Sequence, residues 1–432
     1  MISTYLKKEN MIFYRDQIMQ RIREKHFRVS DSHKGRLFLI STNYPGFWLE
    51  HLYDSIVWAK LHPEDVDLPV SQVRLFLENQ REDGKIPTCI LDNDLMNSIP
   101  DLAKAYTGLD VCPPGFSVNY TQLQECVSLA SLCLEIWELD PSEELEWYYT
   151  CCCKWDEWQC KNRMTRGKGL VETFCGFDTG HDNSARFDGM KYKYGLCQIP
   201  SEYPYGYPVD CNVAPLISPD INAVFYGSRM ALAKMADILG KTEEAALWRK
   251  KAADVKRRLI DICFDPEEYF FFDVDKYDRK IPVKSISITT LFCEHLLDKE
   301  MADEIYRRYL ANPKEFATPY PFPGVSISDP TWKQNQKGNS WGYYSQGNVA
   351  LRTLRWMEYY DKKEDFLAMM ETWLSAWCRP GILHFGQELH PVTGEPSECS
   401  EWYSTTMIYL LYAMRELGLD GECPLEQETI SD

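Results

Sequence analysis

Positive charge is scarce in this chain: 47 Lys and Arg stand against 65 Asp and Glu, a net charge of −18 over 432 residues. That balance disfavours neutralising a nucleic-acid backbone or adhering to an anionic membrane surface, and it favours an uncharged ligand. Long apolar runs are missing too. The opening MISTYLKKENMIFYRD has no apolar core of the length a secretory signal needs, and no later stretch approaches a membrane span. A cytoplasmic protein is expected, in which the 16 cysteines are reduced thiols packed as small hydrophobes. Cys151, Cys152, Cys153 and Cys160 lack the C-x-x-C spacing and neighbouring histidines of a zinc site, and adjacent cysteines on a helix cannot all face one ion. Neither a metal nor a cofactor is expected. Low-complexity segments and Pro/Ser-rich linkers are also lacking, so residues 1–432 should form one domain, with 1–40 as a helical lead-in.

What the chain does have is apolar material, 44% hydrophobic and 13% aromatic, enough to bury a large core. Apolar residues recur at helical spacing over 72–80, 123–139, 221–240, 243–264, 288–297, 301–310, 347–360, 364–377 and 404–417. The segments come in pairs, as antiparallel helical hairpins do. Gly240 reads as a helix stop, and Glu243 and Glu244 as acids opening the next helix. Between the pairs lie long connections rich in Trp, Tyr, Phe, Gly and Pro: 41–54, 177–195, 200–220, 319–347 and 381–403. Loops of that length in a compact domain usually carry function. Flat aromatic faces beside polar groups suit the stacking and hydrogen bonding of sugar rings.

Two of these loops hold carboxylates among polar and aromatic neighbours, TGHDNSARFD (179–188) and FGQELHPVTGE (385–395). Hydrolysis of a glycosidic bond needs such a pair: one acid protonates the leaving oxygen, and the other activates water or attacks the ring. Composition cannot select these two carboxylates from 65. Rival chemistries on a helical barrel are a sugar epimerase or isomerase, a lyase, and a non-catalytic carbohydrate-binding protein. Proton-transfer histidines would serve an isomerase, and of the eight present His51, His181, His384 and His390 fall in the candidate loops. A phosphorylase would need an anion site, for which there is neither a Gly-rich loop nor a basic cluster.

The stretch TGHDNSARFD resembles the SG-x-D-N-S-P-R-x-D segment of inverting glycosidases related to trehalase, which include glycoside hydrolase families 37 and 63 and the hydrolases of mannosylglycerate. The resemblance implies Asp182 as general acid, with Arg186 and Asp188 shaping the subsite around it. FWLEHLYDSIVWAKL followed by QVRLFLENQREDGKIP is similar to that family's W-x-W-D-S-x-F segment and the run ending N-Q-x-D-G-x-I-P, which implies Trp48, Tyr53 and Asp54 as sugar contacts. NSWGYYSQG stands where relatives have Y-W-R-G-P-x-W, implying Trp341 and Gln346 at the sugar, with Gly342 in place of an arginine. FGQELHPVTGEPSECSEWY resembles the region of the general base. Glu388 is the candidate, although a register without a gap puts Gln387 at that place, and a Gln cannot accept water's proton. Glu395, Glu398 and Glu401 are alternatives, with Glu401 and Trp402 as further substrate contacts. The resemblance, running from about Asn43 to Glu416, implies an all-α fold, an (α/α)6 barrel with long loops forming a pocket at one end. It also implies an inverting hydrolase of a small saccharide or glycoside, α-glucosides leading, with no nucleic acid or membrane among its partners.

Overall fold

Helices that pack on one another in a ring alternate along the chain with helices that pack outside it, and this alternation sets the architecture. In the computed structural model, which describes residues 6–30, 36–41, 44, 46–93, 110–111, 116–120, 122–181, 183–188, 215–332, 341–382, 384–397, 399 and 401–421, twelve α-helices are found. They are α1 (Lys8–Arg21), α2 (Leu52–Leu61), α3 (Asp67–Glu78), α4 (Leu129–Leu139), α5 (Leu145–Asn162), α6 (Pro219–Ile238), α7 (Thr242–Cys263), α8 (Thr289–Cys293), α9 (Lys299–Ile305), α10 (Gly347–Arg352), α11 (Lys363–Trp377) and α12 (Ser404–Glu416).

Helix α2 buries every residue but Lys60, whereas α7 buries Ala245, Trp248, Ala252, Val255, Leu259 and Cys263, a single stripe at helical spacing. The even-numbered helices are the inner ones. They close a ring: α2 packs on α4, α4 on α6, α6 on α8, α8 on the 3-10 turn Thr353–Arg355 that ends α10, α10 on α12, and α12 back on α2. The odd-numbered helices clothe that ring, giving the expected (α/α)6 barrel. The described segments leading into the inner helices gather at one mouth.

Several expectations need adjustment. The periodicity over 123–139 suggests one helix, but α4 begins at Leu129, with Ser128 as its cap. Residues 123 and 124 are held instead by Asp178, whose carboxylate accepts the Leu123 N–H and whose carbonyl accepts that of Gln124, forced to φ +48°. Tertiary hydrogen bonding overrides local pattern there. Likewise 347–360 stops being α-helical after Arg352, and 301–310 passes into a π turn at Tyr306–Leu310. Helices α2 and α5 carry no forecast above, since all-round burial and a run of cysteines hide their periodicity. Short sheets line the loops: Gly46–Trp48, Cys89–Asp92, Phe116–Asn119 and Asp110–Val111 form one, and Lys280–Ile281, Asp273–Val274, Leu216–Ile217 and Glu172–Thr173 another. The twelve described cysteines are free thiols, most of them buried. Among the described residues no helix is long and apolar enough to cross a membrane, and no group of three His, Cys, Asp or Glu side chains is placed to hold a metal ion.

Candidate active site

The loop 177–188 is anchored before it is functional. Asp178, fully buried, accepts hydrogen bonds from the backbone of Leu123 and Phe174 and from both terminal nitrogens of Arg163, at 2.6 to 3.2 Å. The chain then turns through Gly180 at φ +70°, where a β-carbon would lie 2.5 Å from Glu50 Oε2 and 2.7 Å from Cys126 Sγ. Only glycine allows so close an approach to Glu50. His181 follows, buried and stacked on Trp341 with ring centroids 4.1 Å apart. Asp182 lies outside the described residues, as does Glu398.

Arg186 fastens the far end of the loop. Its Nη1 and Nη2 bind Asp220 at 2.6 and 2.9 Å, its Nε and Nη2 bind Asp273 at 2.8 Å each, and Nη1 faces His181 Nδ1 at 3.3 Å. All five N–H groups of the guanidinium are thereby spent inside the protein, and the side chain has 0% exposure. Arg186 thus shapes the site by holding the loop to α6 and to strand Asp273–Val274. Burial would push the Asp220 carboxyl up, but the charge and hydrogen bonds of Arg186 hold it below its ordinary value. Burial with the second carboxylate beside it raises Asp273. His181 is lowered to about 3, first by burial, so it is neutral at physiological pH. Asp188 is exposed.

A second wall comes from the segment into α2. Trp48 and Tyr44 meet edge to face at 5.1 Å, and Tyr44 also approaches His51 and Tyr403. Asp54 is buried and receives Thr405 Oγ1 at 2.6 Å and His51 Nδ1 at 3.1 Å. Burial alone would lower His51, but the charges and hydrogen bonds of Asp54 and Glu50 raise it to about 9. Glu50 in turn is held below the usual carboxylate range: burial opposes this, and the His51 hydrogen bond with the His51 and Arg352 charges outweighs it. Tyr53 projects elsewhere, 5.2 Å below the Arg355 guanidinium within the barrel.

The third wall is a short antiparallel ladder in which Gln346 pairs with Glu388 and Ser345 with Leu389. Gln346 Nε2 donates to Glu388 Oε1 at 2.7 Å, and Ser397 Oγ donates to Oε2 at 2.7 Å. Glu388 is fully buried. Its neighbour Gln387 points to the other wall, accepting Tyr44 OH at 3.0 Å and reaching Gln346 Oε1 at 3.4 Å. The alternatives stand apart: Glu395 is exposed and paired with Arg379, Glu401 is exposed, and Trp402 packs on Phe385 and under Arg21 of α1 on the outer side. His390 serves its turn, accepting the Val392 and Thr393 N–H groups at 3.1 Å.

The structure brings Trp48, Asp54, Arg186, Trp341, Gln346 and Glu388 to the mouth. Residues the sequence did not single out join them: Tyr44, Glu50, Asp220, Asp273, Arg352, Ser397 and Thr405. Asp220 reads in sequence as an ordinary first-turn acid of α6. Asp273 could have been suspected, because a carboxylate inside the apolar run FFFDV is hard to bury without a cation.

Comparison with known proteins identifies the family and the fold. The family model described as the mannosylglycerate hydrolase MGH1-like glycoside hydrolase domain matches residues 55–406. Among solved structures, a glycoside hydrolase family 63 mannosylglycerate hydrolase from Thermus thermophilus in complex with glucose is similar over 92% of this chain and 98% of its own, with TM-score 0.68 at 16% identity. The neutral trehalase of Saccharomyces cerevisiae is similar over 93% of this chain and 79% of its own, with TM-score 0.62 at 12% identity. In sequence, an uncharacterized protein of Borreliella burgdorferi is 25% identical over 142 residues, which is 32% of this chain; the match spans 29% of that relative.

Proposed function

The chain belongs to the MGH1-like glycoside hydrolase family, and from that membership we propose that it cleaves an α-glycosidic bond of a small saccharide or glycoside, an α-glucoside first, with inversion at the anomeric carbon. Asp182 donates a proton to the departing oxygen while Glu388, ionised, takes the proton of the attacking water on the opposite face of the ring. One observation carries the pairing of these two residues. A single short segment touches both sides: Trp341 stacks on His181, the residue before Asp182, and Gln346 hydrogen-bonds Glu388. Glu388 is withdrawn from solvent and accepts hydrogen bonds from Gln346 and Ser397, contacts of the kind that orient a base. Trp48, Asp54, Trp341 and Gln346 face the sugar, and Arg186 keeps the acid's loop in place.

The test is a screen of aryl α- and β-glycosides, trehalose, glucosyl disaccharides and mannosylglycerate, the last two classes of relative supplying trehalose and mannosylglycerate by name. Wild type should cleave at least one α-glycoside. Asp182→Asn should lose that activity while still binding the sugar, and full activity in this variant would sink the assignment. Residues 1–432 acting as one domain is part of the same proposal, supported by a helical ring that runs from α2 to α12.

A further inference from the structure

Four arginines are buried among the described residues, and three of them hydrogen-bond carboxylates. Arg163 lies on Asp178 and the Glu172 carbonyl, Arg186 on Asp220 and Asp273, and Arg229 on Asp156 and the Lys251 carbonyl. Arg352 is the exception. It ends the inner helix α10, its side chain is 9% exposed, and its guanidinium makes no hydrogen bond with any described residue. Its one ion pair is to Glu50, Nη2 to Oε2 at 3.6 Å, beyond hydrogen-bond reach. Leaving a buried guanidinium this way is costly, and native structures satisfy such groups with water or a ligand.

Glu50 is the complementary half. Besides Arg352, its oxygens face the Cys126 thiol and His51 Nε2, each at 3.4 Å, so acceptor capacity is left over. The pair sits at the mouth: Glu50 presses on Gly180, two residues before Asp182. Arg352 turns its guanidinium toward Glu50, and the rest of α10 is buried.

We propose that Arg352 and Glu50 form a hydroxyl clamp on the floor of the sugar site, the guanidinium donating to one hydroxyl and the carboxylate accepting from its neighbour on the same ring. This rests on the glycosidase assignment above and narrows its substrate class. A cation alone would welcome an acidic group, but Glu50 at 3.6 Å repels one. The sugar held here is therefore an uncharged pyranose with two adjacent free hydroxyls, and not a uronic acid or a ring deoxygenated at either position. A site built to hydrogen-bond hydroxyls discriminates strongly against analogues that lack them.

Binding of glucose, mannose, galactose and glucuronic acid to the full chain is measured by tryptophan fluorescence and calorimetry, followed by the monodeoxy analogues of the best ligand. Two neighbouring deoxy positions should each weaken binding about 10- to 100-fold in wild type. In Arg352→Ala one of those losses should vanish, with the parent sugar weakened to match, and added guanidinium ion should restore part of its binding. Wild type that binds all deoxy analogues alike, or that prefers glucuronic acid, overturns the clamp without touching the hydrolase assignment. So does an Arg352→Ala protein, folded by circular dichroism, that binds as wild type does. The wild-type panel needs no variant, so poor folding of Arg352→Ala leaves the proposal exposed to refutation. Wild type that binds no sugar overturns the clamp and the hydrolase together.

Discussion

Replacing Arg186 by methionine keeps the aliphatic volume but removes four hydrogen bonds to carboxylates, those to Asp220 at 2.6 and 2.9 Å and the two to Asp273 at 2.8 Å. Two buried acids are left without a cation. Breaking one partner out of such a buried network costs about 3–5 kcal/mol, mostly as the penalty on the charges left behind. A chain of 432 residues has an unfolding entropy of roughly 0.9 kcal/mol/K at about 2.1 cal/mol/K per residue, so the loss corresponds to a melting temperature lower by about 3–6 K. The difference should shrink below pH 4. Asp220 has its folded pKa lowered, so its contribution is present above the unfolded carboxylate value and is lost as pH falls, protonation relieving the variant. Because no N–H of Arg186 is free for a ligand, kcat should fall, about 100-fold if the acid's loop shifts by an ångström, with little change in KM. Arg186→Lys, which cannot fork to both carboxylates, should lie between. Differential scanning calorimetry and steady-state kinetics decide the matter. A methionine variant melting within about 1 K of wild type with undiminished kcat would refute the claim that this network positions the loop.

Three further outcomes follow from the buried groups. His51, raised to about 9, stabilises the fold fully below its unfolded value of 6.5 and loses that contribution as pH climbs toward 9; His51→Asn should flatten the melting temperature over that window, and an unchanged slope would contradict it. Glu294, raised to about 7 by burial despite the Ser128 N–H it accepts, favours the fold below 4.5 and withdraws that benefit as pH rises through 7, a swing of about 3 kcal/mol. Glu294→Gln should remove this swing in urea titrations at pH 5 and pH 8, whereas equal slopes for the two proteins would rule it out. Glu388→Gln should lower kcat by about 10²- to 10⁴-fold and leave the melting temperature nearly unchanged, since glutamine still accepts from one of the two donors; activity close to wild type would move the base elsewhere.

The paired helices, the Gly240 stop and the acidic start of α7 were legible because each depends on neighbours within one or two turns. Helix α2 was not, since it is buried on every face but Lys60 and has no polar stripe to set against an apolar one. At the site, carboxylates in motif-bearing loops could be named from sequence. Their partners could not, because Asp220, Asp273, Arg352 and Thr405 each come from a different element and acquire meaning only when the ring closes. Glu50 stands beside two named residues, yet only the approach of Gly180 marks it as part of the site.

The most direct measurement follows the anomer released from the best α-glycoside by proton NMR in the first minutes of reaction, with wild type, Asp182→Asn and Glu388→Gln compared. The β-anomer should appear first with wild type and neither variant should produce it at an appreciable rate. Initial release of the α-anomer, or normal turnover by either variant, would contradict an inverting mechanism built on these two carboxylates.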